Sequence, residues 1–389
     1  MSYQTLFLQQ SYRDCTKQYE EILHNPNLPL WDYVVLTASN EAQAQAYRAQ
    51  ISYRLKHQML PEKTHYAVLP DPDGTRVGSG GATLNVLHGA VQGDGAAESR
   101  QLASAQPGEA ACHAFDGKRI LVIHSGGDSK RVPQYSACGK LFSPVPRILP
   151  NGRRSTLFDE FMIAMCGVAA RMNAGMLVCS GDVLLLFNPL QIDFYGKGAA
   201  ALSIKEPAEI GKNHGVYRRD REGNVGGFLH KKTVEQLHEM GAMDEHGHVD
   251  IDTGAVMMSV DLLNAFYSLI DTEEKFAACV NEQARLSFYA DFLYPLASDS
   301  TLEQYYQETP EGEFTPELRA CREKIWAALH PYQMKLIRMS PAAFIHFGTT
   351  RELLHLMTEG MEQFTHLGWQ ARINTKSQEK SYGAGNSYI

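Results

Sequence analysis

From Ser125 to Arg131 the chain reads Ser-Gly-Gly-Asp-Ser-Lys-Arg, and Lys140 follows shortly after, directly behind Gly139. The paired glycines Gly126 and Gly127 let backbone N–H groups reach a ligand where a Cβ would clash. A concavity of such groups beside Lys130 and Arg131 is a seat for a polyphosphate. The bland reading is a solvated surface turn with ordinary charges. Lys140 leads into an apolar patch and so points back toward the same cavity. Asp182 ends an apolar run, the place where ligands bind in open α/β sheets. It is either a magnesium ligand or a helix cap, and the apolar residues that follow it lack a polar helix start, which favours the metal. Asp250 and Asp252 share one face of a strand by the period-two rule. Asp252 precedes Thr253-Gly254, a bend, and is the one placed to reach a ligand.

These residues need a sheet behind them. Ile120-Leu121-Val122-Ile123 is β-branched, too short for a helix and right for a buried strand. Before it, residues 1–30 read as helical, 32–38 as a strand, 41–56 as a helix capped by Ser39 or Asn40, and 66–69 as a strand. Strand–helix–strand is the unit of a parallel α/β sheet. A long apolar helix runs from Ser155 or Thr156 to about Arg171, and further strands fall at 175–180, 199–204 and 248–258. Residues 214–232 form a hairpin around Glu222-Gly223-Asn224 that ends in the basic pair Lys231-Lys232. From Asp261 the chain reads as helical throughout, amphipathic over 261–287, 301–308, 316–330 and 350–364. Residues 93–117 look like a flexible surface insertion. The tail 382–389, small and β-branched, reads as the start of a new β element in a longer protein.

Gly78-Ser79-Gly80-Gly81-Ala82-Thr83 opens a helix, and glycines at a helix mouth invite an anion or a nucleobase edge; the alternative is a tight turn that binds nothing. The spelling is GxGxxT, with no acidic residue placed to hold a ribose, which weakens a nicotinamide reading. No Walker A pattern occurs.

The chain has 389 residues and a formal net charge of −8, which argues against nucleic acid or an anionic membrane as main partner. The N-terminus lacks the basic and apolar regions of a secretory signal, and no apolar run spans a bilayer. Seven scattered cysteines (Cys15, Cys112, Cys138, Cys166, Cys179, Cys279 and Cys321) with no CxxC pair fit a reducing cytoplasm. Cys138, near the glycine loop, reads as a packing residue.

Taken together, these pieces resemble the sugar-1-phosphate nucleotidyltransferase family. Gly126 to Arg131 and Lys140 match its glycine loop and downstream lysine, with Asp-Ser-Lys in place of x-Gly-Thr. Gly181-Asp182 matches its magnesium residue, and Asp252 its second metal carboxylate. His214-Gly215-Val216-Tyr217, Asp220, Gly223 and His230-Lys231 resemble its sugar segment, with His230 in place of a glutamate. DPDGTRVGSGGATLNVL, HSGGDSKRVPQYSACGKLFSPVP, HGVY…FLHKKT and HFGTTREL are similar to the branch that makes GDP-fucose.

The resemblance implies an α/β, Rossmann-like nucleotidyltransferase fold: a mixed, mostly parallel central sheet flanked by helices, with a helical C-terminal extension. It implies a catalytic domain over 1–296 and a mainly helical extension over 297–389, leading toward a β-helical connector and a C-terminal sugar kinase whose glycine motif this chain lacks. No kinase activity is therefore expected of this chain. It implies GTP and L-fucose-1-phosphate as substrates and Mg²⁺ as cofactor. Arg131 and Lys130 would hold the β- and γ-phosphates and Lys140 would neutralise charge at the α-phosphate. Lys231, with Gly215 and His230, would hold the sugar phosphate, and Asp182 and Asp252 the metal. Gly78, Ser79, Gly80 and Gly81 would meet the guanosine, and Ser125, Gly126 and Gly127 the phosphates. Three rivals stand beside this reading. They are a uridylyl- or hexose-specific enzyme of the same fold, a glycosyltransferase using Asp250-Ile251-Asp252 as a metal motif, and a non-catalytic nucleotide-sugar sensor.

Overall fold

The structure, a computed structural model, describes residues 2–92, 114–127, 129–136 and 139–370. Asp128, Cys112, Cys138, most of the 93–117 insertion and the 382–389 tail lie outside the described residues.

The strands are β1 (Tyr33–Ala38), β2 (His65–Pro70), β3 (Arg119–His124), β4 (Pro144–Ile148), β5 (Arg154–Thr156), β6 (Gly175–Ser180), β7 (Val183–Phe187), β8 (Ala199–Pro207), β9 (Gly215–Arg219), β10 (Val225–His230), β11 (His248–Met258), β12 (Met334–Arg338) and β13 (Ala342–His346). The helices are α1 (Tyr3–His24), α2 (Glu41–Lys56), α3 (Gly78–Gln92), α4 (Leu157–Met165), α5 (Ala208–Gly211), α6 (Val234–Glu239), α7 (Val260–Tyr267), α8 (Glu273–Cys279), α9 (Leu302–Gln307), α10 (Pro316–Leu329) and α11 (Thr350–Met357).

A nine-stranded sheet runs β10-β9-β11-β6-β3-β1-β2, with β8 beside β11 and β12 beside β8. Tracing the pairings, seven strands run one way and only β10 and β11 oppose them. Alternation divides each central strand between two cores. Leu121 and Ile123 of β3 face one core with α1, α2 and α4, while Ile120 and Val122 face the other with α3 and α7.

The chain leaves β1 toward β2 on one side and returns to β3 on the other, so a topological switch point lies between β1 and β3. Ligands of open α/β sheets bind outside the carboxyl ends of the strands at such a point. A second opening arises in β11, whose residues 255–258 pair with β6 but whose residues 250–251 pair with β9. A register shift between Asp252 and Ala255 makes the fork. Gly254 sits in its crotch at φ +71, where a Cβ would lie 2.8 Å from that of Ser180.

The all-helical reading after Asp261 needs correction. The 261–287 stretch breaks into α7 and α8, and two strands follow α10. β12 adds to the main sheet parallel to β8, and β13 pairs antiparallel with β7. Met334 and Leu336 face one core and Ile337 the other, a period-two pattern too short to stand out between helices. Residues 297–370 thus share both cores with the residues before them. The helix placed at 155–171 also shortens: α4 ends at Met165 and continues as a 3₁₀ turn over Cys166–Arg171. The five described cysteines are buried free thiols.

Candidate functional site

The loop after β3 is fastened to β1. Ser125 N–H donates to Thr37 Oγ1 at 3.2 Å, Gly126 N–H to the same oxygen at 3.3 Å, and Ser125 Oγ to the Thr37 carbonyl at 2.8 Å. Tyr47 OH donates to the Ser125 carbonyl at 2.7 Å. Gly127, at φ +104 with open space where a Cβ would stand, is the residue that turns the chain outward. On the far side, Thr350 N–H at the start of α11 donates to the Arg131 carbonyl at 2.8 Å.

A cavity of about 1000 Å³ opens over this loop, walled by Ser125, Gly126, Gly127, Lys130, Arg131, Lys140, Asp182 and Tyr289. Lys140 Nζ lies 3.1 Å from Asp182 Oδ2. Ser180 Oγ donates to Asp182 Oδ1 at 2.6 Å, and His346 Nε2 stands 3.7 Å from Oδ2. Burial pushes the Asp182 carboxyl up, but the His346 hydrogen bond and the Lys140 charge outweigh it and hold it well below the usual carboxylate range. Glu352 Oε1 receives His346 Nδ1 at 2.8 Å. Burial lowers the imidazole's pKa, and the two carboxylates more than restore it, leaving it raised. Asp182 opens β7, a strand, so no helix starts there for it to cap.

Asp252 lies at the fork. Its Oδ1 accepts from Tyr217 OH and from Gly254 N–H, each at 2.8 Å, while burial pushes its carboxyl up. Tyr289 lines the Asp182 cavity, and its hydroxyl reaches the Gly254 carbonyl at 3.5 Å, beside the fork that holds Asp252. Asp182 before β7 and Asp252 at the β11 fork offer carboxylate oxygens of the kind a hard divalent cation takes. Asp250 is held bidentately by Arg338 at 2.6 and 2.7 Å, so the Asp250-Ile251-Asp252 metal motif of a glycosyltransferase is left with one available carboxylate.

The hairpin flanks Asp252. A Cβ on Gly215 would stand 3.1 Å from that of Asp252 and 2.7 Å from the Phe228 ring, so only glycine packs there. His230 stacks on Phe228 at 6.4 Å between centroids. Lys231, at φ +50, donates its N–H to the His214 carbonyl and stands outside the cavity wall, exposed at the end of β10.

Arg76, Ser79, His124, Gly126 and Gly127 also line an adjoining cavity of about 530 Å³, with Thr37, Asp71, Gly78 and Glu311. Gly78 and Ser79 reach it, whereas Gly80 and Gly81 do not. A Cβ on Gly80 would crowd Leu286 at 3.0 Å and one on Gly81 would crowd Val77 at 2.8 Å, so packing explains both glycines. The helix mouth is occupied from within: Ser79 N–H donates to Glu311 Oε2 at 3.3 Å and Gly80 N–H to the Leu286 carbonyl at 2.8 Å.

Sequence reading passed over Thr37, Asp71, Arg76, Tyr289, Glu311, His346 and Glu352. Asp71, Arg76, His346 and Glu352 do lie inside motifs that stood out, DPDGTRVGSGG and HFGTTREL, and this was the available signal.

His124, at the floor of both cavities, offers a test of the geometry. Thr83 Oγ1 donates to the Ser79 carbonyl and so accepts from His124 Nε2 at 2.9 Å, while Nδ1 is buried without a partner among the described residues. Burial lowers its pKa to about 4. The folded value lies below the unfolded one, near 6.5, so the neutral ring's contribution is whole above pH 6.5 and drains away toward pH 4. His124→Gln should remove up to about 3 kcal/mol of this acid sensitivity. Urea unfolding at pH 7 and pH 4.5 measures it, and identical losses in both proteins would contradict the burial.

A glycine loop, a cationic rim and two carboxylates thus stand together beyond the carboxyl ends of the parallel strands of an α/β sheet. The chain belongs to the fucose pyrophosphorylase domain family, whose family model matches residues 113–389. It is 28% identical over 384 residues to mouse fucose-1-phosphate guanylyltransferase, covering 91% of this chain and 61% of the relative. The human protein of that name is 29% identical over 379 residues, covering 88% and 57%. A bifunctional fucokinase/GDP-fucose pyrophosphorylase of Arabidopsis thaliana is 27% identical over 356 residues, covering 86% and 32%. The chain therefore spans less than two thirds of the length of each.

Proposed function

We propose that this chain transfers the guanylyl group of GTP to L-fucose-1-phosphate, giving GDP-L-fucose and pyrophosphate. One observation carries the reading: in a chain of this family, the cationic glycine loop, Lys140 and Asp182 share one cavity at the sheet's switch point. An oxygen of the sugar phosphate bonds to the α-phosphorus of GTP as the α–β bridging bond breaks. The nucleophile is already ionised near neutral pH, so no general base is needed; positioning and charge neutralisation supply the catalysis. Lys130 and Arg131 hold the β- and γ-phosphates, and Lys140 meets charge developing at the α-phosphate. Gly215 and His230 shape the sugar side, and Lys231, exposed at the end of β10, is the cation that would clamp the sugar phosphate. Asp182 and Asp252 would hold Mg²⁺, which when bound supplies further neutralisation of the reacting phosphates.

Among the described residues no helix is long and apolar enough to cross a membrane. Free buried thiols suit the cytoplasm, and the bifunctional relative supports a sugar kinase on the same polypeptide. Pyrophosphate release with Mg²⁺, run as four nucleoside triphosphates against several sugar-1-phosphates, tests the function. Release confined to GTP with fucose-1-phosphate is expected. Release with another pair discards the substrates, and silence from the folded protein discards the activity in this chain.

A further inference from the structure

We propose that Glu311 and Asp71 read the base of the nucleotide, accepting hydrogen bonds from the N1–H and 2-amino groups of guanine. The inference rests on the guanylyl-transfer reading and adds the residues that select the base. The smaller cavity adjoins the phosphate loop through Gly126, Gly127 and Arg76. A nucleotide whose phosphates lie over the loop therefore extends its nucleoside into the smaller cavity. Two carboxylates line that cavity. Asp71 follows β2, and Glu311 comes from the connection between α9 and α10.

Carboxylates only accept, and an ionised carboxylate is matched best by two donors side by side. Guanine is the one common base that presents such a pair on its pairing edge. Uracil offers one donor between two carbonyls, and adenine and cytosine offer an amino group beside a bare ring nitrogen. Glu311 Oε2 accepts from Ser79 N–H at 3.3 Å and Ser79 Oγ at 3.4 Å, which fixes the group at the cavity's edge. Burial pushes the Asp71 carboxyl up to about 7, and the Glu311 charge pushes the same way against Val77 N–H, Arg76 and Arg285. Burial pushes the Glu311 carboxyl up as well, so N–H donors entering the cavity favour the ionised, accepting form of both groups.

The test compares GTP with inosine triphosphate, which lacks only the 2-amino group. A site built to bind a donor discriminates strongly against the analogue that lacks it. In the wild-type protein kcat/KM for GTP should exceed that for ITP by roughly tenfold or more, the effect of about one hydrogen bond to a charged group. Glu311→Gln and Asp71→Asn should each bring this ratio toward unity, and calorimetric GTP and ITP affinities should converge in step. Thermal melts confirm that the variants are folded, and an unchanged ratio in one variant removes that residue from the assignment. GTP-dependent activity with an unchanged GTP/ITP ratio in both variants overturns this assignment and leaves the reaction intact. Wild-type activity with UTP rather than GTP overturns both.

Discussion

Lys140→Ala and Asp182→Ala should each lower turnover by roughly two to three orders of magnitude, the effect of removing one preorganised electrostatic group from a water-poor site. The two side chains face each other at 3.1 Å and are only 16% and 20% exposed. Their substitutions change the cavity charge in opposite senses. Losing Lys140 subtracts a positive charge beside the phosphates, and losing Asp182 removes a negative one. If the pair acted only through the general field, GTP affinity and turnover would rise in one variant and fall in the other. If both groups act on the reacting phosphates, kcat falls in both while GTP affinity moves apart. Fold loss is a weak alternative, because Asp182 keeps its Ser180 donor and the nearby His346 after Lys140 is gone. Steady-state pyrophosphate release with calorimetric GTP titration separates these cases. Near-normal kcat in either variant removes that residue from the chemistry.

The loop, Lys140 and Asp182 were legible because their signals are local. An apolar strand, a glycine turn and the cations or carboxylate beyond it lie within a few residues of one another, and period and turn chemistry act at that range. The hairpin at 214–232 and the Asn40 cap of α2 were legible for the same reason. What sequence hid is what long-range pairing decides. β12 is a strand because β8, over 130 residues earlier, offers it an edge. His346 matters only because β13 pairs with β7 and so carries the imidazole to Asp182. Glu311 meets Ser79 across 232 residues. The glycines at 78–81 misled in an instructive way. An anion or base at the helix mouth was the expectation, but Gly80 and Gly81 are packed by Leu286 and Val77.

The largest effect on stability should come from Arg322, far from the phosphate loop. Its side chain is 1% exposed and that of its partner Asp291 is fully buried, with Nε donating to Oδ1 at 2.8 Å. Nη1 donates to the carbonyls of Tyr305 and Glu308 at 3.0 and 2.9 Å, so one guanidinium ties α10, α9 and the π-helical turn Phe288–Leu293 together. Arg322→Ala leaves a buried carboxylate supported by the Ser287 N–H and strands several carbonyls. Breaking one side of such a pair costs about 3–5 kcal/mol, a large share of a typical domain's 5–15 kcal/mol. Arg322→Lys should recover little, because an ammonium cannot reproduce the fork. Arg322→Met with Asp291→Leu should recover part of it, since an apolar pair leaves no orphaned charge although the Tyr305 and Glu308 carbonyls stay without their donor. Urea unfolding of the four proteins at pH 7 measures the series, and a loss under about 1 kcal/mol in Arg322→Ala would show that water reaches the pair. Because Glu311 follows Glu308 by three residues, the same variant should also loosen the carboxylate's hold on the edge of the smaller cavity. Stability and base selection should therefore fall together in Arg322→Ala, whereas the apolar double variant, which returns no donor to the Glu308 carbonyl, should recover stability without base selection.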